Sequence, residues 1–249
     1  MSRFGSALYL AALAGTTLPT ATAGQSVSPP IAEYQERARS SFQLHNASIF
    51  PVTAVLEVRG FIITEDGEVV DVPLDTSRIQ VKLSEMSFRI PPRGWRTVFY
   101  EATGDSLPAW FNILSALSGV KTESGLNVRI LLPHVVYLNQ KQPLRKEDVA
   151  VRRIELNQAA QKVRIQLENL GPRLGRVYQL SVADRGSPPQ NAGGFPLMPH
   201  SRRWVEVEWT RPAPPNRLTL RFARFSIDSV LTPVAASVAA DSAAVPPRP

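Results

Sequence analysis

Hydrophobic and polar residues alternate along most of the chain, in short segments separated by turns. A period of two residues is typical of strands with one buried and one exposed face. The pair Asp66-Gly67 between two such segments indicates a tight hairpin. The strands predicted in the first half span residues 40–46, 55–63, 68–72, 79–83, 88–90, 95–100, 110–117 and 126–138.

A second series of alternating segments follows a polar stretch at 139–146, which contains Pro143 and is the predicted interdomain linker. About seven or eight short strands is the number that an immunoglobulin-like sandwich requires. The fold class predicted is therefore all-β, with two immunoglobulin-like β-sandwich domains in tandem. The strands predicted in the second domain span residues 163–167, 177–182, 203–209 and 218–222.

Both ends of the chain differ in composition from these domains. Arg3, an apolar run at 4–13 and the small residues Ala21-Thr22-Ala23 are typical of a cleavable signal peptide. The last segment is rich in Ala, Val, Ser and Pro and lacks aromatic residues, so a disordered tail is predicted. The predicted boundaries are 1–23 for the signal, 24–140 and 141–230 for the domains, and 231–249 for the tail.

The composition limits the chemistry that this chain can perform. It has no cysteine, which excludes disulfides and thiol chemistry although export is predicted. Its 249 residues carry a net charge of +7, largely as arginine, which pairs well with carboxylates and phosphates. Because the basic residues are spread singly and in pairs along the strands, they indicate mainly a solvated face.

No arrangement of residues predicts catalysis. The three histidines, His45, His134 and His200, lie in different turns or strands, and no two have ligand spacing. Glycine-rich phosphate loops and nucleophile elbows are also missing from the sequence. We therefore predict a protein that is not an enzyme and has no cofactor, no metal site and no small-molecule substrate.

Aromatic and basic neighbours, as in Phe88-Arg89 and Trp95-Arg96, allow two interpretations. They could stack on nucleic acid. On a strand, however, adjacent residues point to opposite faces, so core packing of the aromatic ring explains the pattern more simply. We favour core packing and predict no nucleic-acid partner.

Several segments, taken in order, resemble the periplasmic pilus-assembly chaperones of the PapD-like family. The resemblance covers roughly residues 28–230 and depends on the order and spacing of the pieces. In the first domain the matching segments read SFQLHN, SFRIPPRGWRTVFYEA, LPAWFNIL and GLNVRILLP, and in the second IQLENLG and GGFPLMPHSRRWVEVEW.

The resemblance implies an L-shaped pair of sandwiches that holds an incomplete β-sandwich subunit, the client, in the periplasm. The chaperone would donate an edge strand to the client's exposed groove by main-chain pairing. In the family, a basic residue on the last strand of the first domain lies at the base of the cleft and holds the client's terminal carboxylate. Arg129 matches it by position. The family's partner arginine would fall near Ala32 or Glu33, where no basic residue stands.

The donated strand would depend on Leu126, Val128 and Ile130, because the stretch SGVKTESG before Arg129 is polar. These three side chains could instead point into the core of their own domain, and both interpretations stay open. The implied partners are a secreted pilin-like subunit and an outer-membrane usher, with no membrane insertion. The alternative is a structural or adhesive tandem-sandwich protein that binds a folded partner.

Overall fold

A computed structural model describes residues 24–121, 127–231 and 234–235 of the protein. Twenty strands and one 3-10 helix account for most of these residues, so the prediction of an all-β fold with two tandem sandwiches is confirmed. The predicted signal peptide lies outside the described residues. The chain leaves the first domain at Asn139 and reaches the first element of the second domain at Lys146.

The first domain contains ten strands in two facing sheets. One sheet has the order β1-β3-β8-β6, and the other has the order β2-β10-β9-β4-β5, with β7 paired to β4. The strands are β1 (Ser26–Ser28), β2 (Ile31–Gln35), β3 (Arg37–His45), β4 (Val52–Ile63), β5 (Val69–Val72), β6 (Ile79–Leu83), β7 (Ser87–Ile90), β8 (Trp95–Gly104), β9 (Ala109–Lys121) and β10 (Asn127–Asn139).

The core between these sheets follows from the alternation along each strand. Phe42 and Leu44 of β3 are buried, as are Phe111 and Ile113 of β9, whereas Gln43, between the first two, faces outward. These large apolar groups form one continuous core cluster. Burial of this cluster is the main driving force for a domain that has no disulfide.

The first strand changes sheets part-way along. β1 pairs antiparallel with β3 in one sheet, and after Pro29-Pro30 the chain continues as β2, parallel to β10 in the other sheet. Neither segment was predicted, because β1 has only three residues and β2 turns only Ala32 and Tyr34 inward. The crossing leaves only the last part of β10 covered by β2.

The second domain contains a four-stranded sheet of order β17-β12-β11-β20, a facing sheet of order β15-β14-β18-β19, and the pair β13-β16. Val163, Leu180 and Trp209 contribute to its core. The elements are η1 (Lys146–Asp148), β11 (Val149–Asn157), β12 (Lys162–Asn169), β13 (Gly175–Val177), β14 (Gln179–Ala183), β15 (Gln190–Ala192), β16 (Phe195–Leu197), β17 (Ser201–Glu208), β18 (Arg217–Arg221), β19 (Ser226–Val230) and β20 (Val234–Ala235).

Three details of the second domain correct the sequence analysis. The strand predicted at 177–182 is divided into β13 and β14 at Tyr178. Leu231, assigned to the disordered tail, is buried in the second core. Val234–Ala235 also pair in parallel with β11, so main-chain hydrogen bonding orders a segment that has no large apolar group. The rest of the predicted tail lies outside the described residues.

Candidate binding edge of strand β10

The last strand of the first domain in the chain, β10, is paired along the whole of one edge but along only part of the other. The first edge pairs antiparallel with β9 from Asn127 to Leu138. On the open side β2 pairs only with Val135–Asn139. None of the strands that the structure describes pairs with residues 127–134 on that side, although β1 passes close by on its way to β3.

The direction of the main-chain groups on this edge follows from two hydrogen bonds. Val135 donates its N–H to the Pro30 carbonyl, and Asn139 accepts from the N–H of Glu36, both at 2.9 Å. Because the direction alternates with every residue, Leu131 also presents its N–H and C=O to the open side. Pro133 presents a carbonyl but has no N–H. The open edge, defined here as residues 127–134, therefore offers a template for a further strand.

The side chains of β10 that face the first core are covered to different degrees along the strand. Val136 and Leu138 are fully buried. Val128, Ile130 and Leu132 pack against the same core but are only partly buried. The sandwich therefore opens along this edge, and apolar surface of these three residues remains in reach of an incoming chain.

On the outer face of the same sheet, Arg129 and Leu131 are exposed, Leu131 by 58%. Arg129 forms no ion pair with any residue in the described part of the chain. It lies opposite a bulge at which Ser118 and Gly119 of β9 together face one residue of β10, and Gly119 has a φ of +84°. Bulges of this kind use glycine in the left-handed region and increase the local twist.

The structure describes three of the four residues that were predicted to bind the client. Val128, Arg129 and Ile130 lie on the open edge, and Leu126 lies outside the described residues. Arg129 precedes Asn139, at the domain junction, by ten residues, which corresponds to about 33 Å along a strand. Arg129 is therefore not at the base of the cleft, where the resemblance implied a basic residue, and its contact with a client stays a prediction.

Sequence analysis missed Leu131 and Pro133. The informative signal was the proline itself, because a proline inside an alternating strand pattern indicates an edge strand. The alternation of apolar residues instead predicts contacts through the even-numbered residues Leu126, Val128 and Ile130.

A buried polar network holds β10 at the point where the first strand changes sheets. His134 is fully buried and stacks on Phe42 with ring centroids 4.6 Å apart. Its Nδ1 lies 2.7 Å from the carbonyl oxygen of Pro29, and its Nε2 lies 3.0 Å from the hydroxyl of Tyr100. The Tyr100 hydroxyl lies 2.9 Å from that of Tyr34. Three segments of the chain thus meet at one imidazole.

The donors in this network can be assigned from its chemistry. A carbonyl oxygen only accepts, so Nδ1 of His134 carries the proton and donates to Pro29. In the neutral ring Nε2 then accepts from the Tyr100 hydroxyl, which in turn accepts from Tyr34. Burial lowers the pKa of His134, despite the opposing effect of the hydrogen bond to Pro29, and burial also raises the pKa of Tyr100. Both shifts favour the neutral forms that this assignment requires.

The junction between the two domains has a different composition from the one that the resemblance implies. Phe61 and Tyr137 of the first domain pack with Leu174 and Met198 of the second. Glu33, at the position expected for a basic residue, forms an ion pair with Arg176 of the second domain. Arg39, six residues after Glu33 in the chain, instead pairs with Glu101, 3.0 Å away on the exposed face of the other sheet.

The β4–β5 hairpin adds a second contact between the domains. The carbonyl of Glu65 accepts the N–H of Trp204 on the edge strand β17 at 2.6 Å. Asp66 forms an ion pair with Arg164 at 3.2 Å. Gly67, with a φ of +88°, lies so close to Arg203 that an added Cβ would be 3.1 Å from its guanidinium. The first domain thus covers part of an otherwise open edge of the second.

A separate surface lies on the outer face of the β1-β3-β8-β6 sheet. Trp95 and Phe99 are 55% and 61% exposed, and Trp95 stacks on His45 with centroids 4.0 Å apart. The interpretation of Trp95 as a core residue is therefore wrong. Val98 and Tyr100 take the inward positions of β8, which sets the odd-numbered residues outward. Phe88, by contrast, packs against the core.

Within the described residues, no group of three or more His, Asp and Glu side chains is arranged to hold a metal ion. In the same part of the chain, no helix has the length and apolar character needed to cross a membrane.

Several solved structures with similar folds are fimbrial chaperones. The SafB chaperone of Salmonella enterica, solved with the SafA pilin, matches at a TM-score of 0.53 and 12% identity over 85% of this chain and 98% of its own. The chain has the fold of a fimbrial chaperone. The class 5 fimbriae chaperone CfaA matches 85% of this chain and all of its own at a TM-score of 0.49 and 9% identity.

A third structure, the CsuC–CsuE chaperone–adhesin complex of Acinetobacter baumannii, gives a TM-score of 0.46 and 14% identity, covering 83% of this chain and 98% of the chain it matches. No family model matches the sequence, and no curated protein matches it either. The resemblance to the PapD-like chaperones is thus confirmed for the chaperone fold across both domains.

Proposed function

We propose that this protein is a non-catalytic periplasmic chaperone that binds incomplete β-sandwich subunits of a pilus or surface fibre by strand addition. The observation that carries the proposal is the open edge of β10, a half-covered strand with unpaired main-chain groups. A client that lacks one strand can accept a strand from another protein, because its groove exposes apolar surface and unpaired main-chain groups. The chaperone fold supports the same proposal.

The partners proposed are a secreted pilin-like subunit, held along the open edge, and an outer-membrane usher that receives it. Main-chain pairing would supply affinity, while Val128, Ile130 and Leu132 would extend the apolar contact into the client. Leu126 stays a proposed contact of the same row. Arg129 is proposed to supply charge at this edge.

The proposal is tested by recovering the tagged protein from the periplasm of its host and identifying what copurifies. One dominant small β subunit is expected. Leu131→Pro removes the outward N–H without removing a hydrogen bond to β9, so it should abolish this recovery. Phe99→Ser, which changes an equally exposed apolar residue on the other sheet, should leave it intact. Recovery of no subunit by the unmodified protein contradicts the proposal.

A second candidate function is supported by the exposed rings of Trp95 and Phe99. They lie on one face of β8, and Phe99 borders an open recess of about 550 Å³. Exposed aromatic residues of this kind often anchor protein interfaces. A structural or adhesive protein would use this face to bind a folded partner of the cell envelope.

The same two variants separate the functions. If Phe99→Ser loses the partner and Leu131→Pro keeps it, the second candidate is favoured. Deletion of the gene gives an independent criterion, because a chaperone's client would disappear by proteolysis in its absence, whereas a folded partner would persist.

A further inference from the structure

Arg129 lies where it can contact the side chains of a strand that pairs with the open edge. Its guanidinium is exposed on the outer face of the sheet and forms no ion pair with another residue of the described chain. The open edge continues on both sides of it, from Asn127 to His134. A strand that pairs along the whole open edge therefore has one of its interior residues opposite Arg129.

Leu131 defines the neighbouring position. It is the next residue on the same outer face and leaves 58% of its surface exposed. Directly opposed residues on paired strands bring their Cβ atoms within about 5.5 Å, so each outward side chain of the added strand meets one of these two groups. The two positions are of opposite character, one cationic and one apolar.

We infer that the client strand carries an aspartate or glutamate side chain opposite Arg129 and, two residues away, an apolar side chain opposite Leu131. This inference rests on the proposed function and defines the substrate of the same edge more narrowly. A guanidinium and a carboxylate pair with charge-assisted hydrogen bonds, whereas an amide at that position would leave the charge of Arg129 without a counter-charge. The carboxylate in question belongs to a side chain, because Arg129 is far from the domain junction.

The test uses four nine-residue peptides that alternate threonine with valine, except that valine also stands two residues from the centre on either side, so that an apolar side chain lies opposite Leu131. The central threonine is replaced by Glu or Gln, and each peptide has either a free or an amidated carboxyl terminus. Binding to the periplasmic protein is measured by fluorescence anisotropy. The Glu peptides should bind about threefold to fivefold more tightly than the Gln peptides, which is the upper part of the range for a cross-strand charge pair, with or without the terminal charge.

Variants assign this preference to one residue. Arg129→Gln should remove the difference between Glu and Gln peptides. The matched control is Arg89→Gln, since Arg89 is an exposed, unpaired arginine among the described residues of the same sheet, three strands or about 14 Å from β10. It should keep the difference. Leu131→Pro should abolish binding of all four peptides.

The outcomes are distinct. Equal binding of Glu and Gln peptides that Leu131→Pro abolishes overturns the inference and leaves strand addition standing. A preference that follows the free terminus, or one that survives in Arg129→Gln, overturns it as well. If the unmodified protein binds none of the peptides, the inference and the proposed function both fail.

Discussion

At the scale of single residues, the network around His134 shows how a buried, neutral imidazole can hold two parts of the chain together. Its two nitrogens connect the crossing of the first strand to Tyr100 on the opposite sheet. Both polar ends are satisfied inside an apolar core, where an unsatisfied group is costly. The network thus fixes the point, next to Val135, at which the pairing of β2 with β10 begins, and with it the length of the open edge.

Removal of the Tyr100 hydroxyl tests this network. Tyr100→Phe leaves Nε2 of His134 without a donor and Tyr34 without its acceptor, so the free energy of unfolding should fall by about 1–3 kcal/mol. Urea denaturation measures the change. Tyr178→Phe removes a hydroxyl from a residue that is 55% exposed, and it should change the free energy of unfolding by less than about 0.5 kcal/mol. Equal effects of the two substitutions would contradict a structural role for the network.

The lowered pKa of His134 predicts a pH dependence. In the unfolded chain this histidine titrates near 6.5, so below that pH the unfolded state binds more protons than the folded state. Stability rises with pH wherever this holds. The contribution of His134 should therefore be complete above pH 6.5 and fall as the pH drops toward its lower folded-state pKa.

The measurement compares urea unfolding between pH 7.5 and 5 in three proteins. The loss attributable to His134 is at most about 1.4 kcal/mol per pH unit, and His134→Asn should remove it from the pH profile. His200→Asn, which changes an exposed histidine in a loop, is the matched control substitution. A His134→Asn profile that parallels that of the unmodified protein would show that another group is responsible.

At the scale of elements, the sequence predicted strands wherever alternation ran through a full face. β6 was found at its observed bounds, and β3, β8 and β12 were found within a few residues of theirs. The three-residue strands β1, β15 and β16 were missed, because one or two inward side chains do not establish a period. The nine-residue strand β11 was missed as well, because its more and less buried positions do not alternate. Whether an edge is open depends on partners elsewhere in the chain, and no local pattern contains that information.

The bulge opposite Arg129 gives a prediction for an element. Gly119 has a φ of +84°, and an added Cβ would have only an ordinary contact of 3.5 Å with the Pro51 carbonyl. Gly119→Ala should therefore cost the conformational penalty alone, about 1–2 kcal/mol in the free energy of unfolding. Gly193→Ala, in a loop without a positive φ and with open space around it, is the control and should cost far less. Thermal and urea unfolding of both variants decide the point.

At the scale of the whole molecule, the tandem arrangement could be predicted, but the chemistry at the junction could not. The resemblance led to a cationic cleft on β2 and β10, whereas the structure has Glu33 paired with Arg176 and an apolar cluster around Tyr137. Glu33 and Arg176 lie 143 positions apart, and the members of the apolar cluster come from both domains, so local sequence patterns do not reveal these contacts. The hairpin at Gly67 adds a further contact and makes the relative placement of the domains a property that a single residue can disturb.

Gly67→Val should loosen the two domains without unfolding either one. The new side chain would meet the guanidinium of Arg203 and push the hairpin away from β17, which removes the hydrogen bond from Trp204 to Glu65. Gly186→Val is a matched control, because Gly186 has nearly the same φ, +87°, but no atom within 4 Å of an added Cβ. Both variants therefore bear similar backbone strain, and only the first disturbs the junction.

The chain has no cysteine, so Thr76→Cys and Ala159→Cys place one spin label in each domain without background labelling. Pulsed electron paramagnetic resonance measures the distance between the two labels. The distribution of this distance should be narrow for the unmodified junction and for Gly186→Val, and broader for Gly67→Val. A distribution that stays narrow in Gly67→Val would mean that the apolar cluster and the Glu33–Arg176 pair hold the domains by themselves. A distribution broadened equally by both valines would trace the change to backbone strain and not to the contact with Arg203.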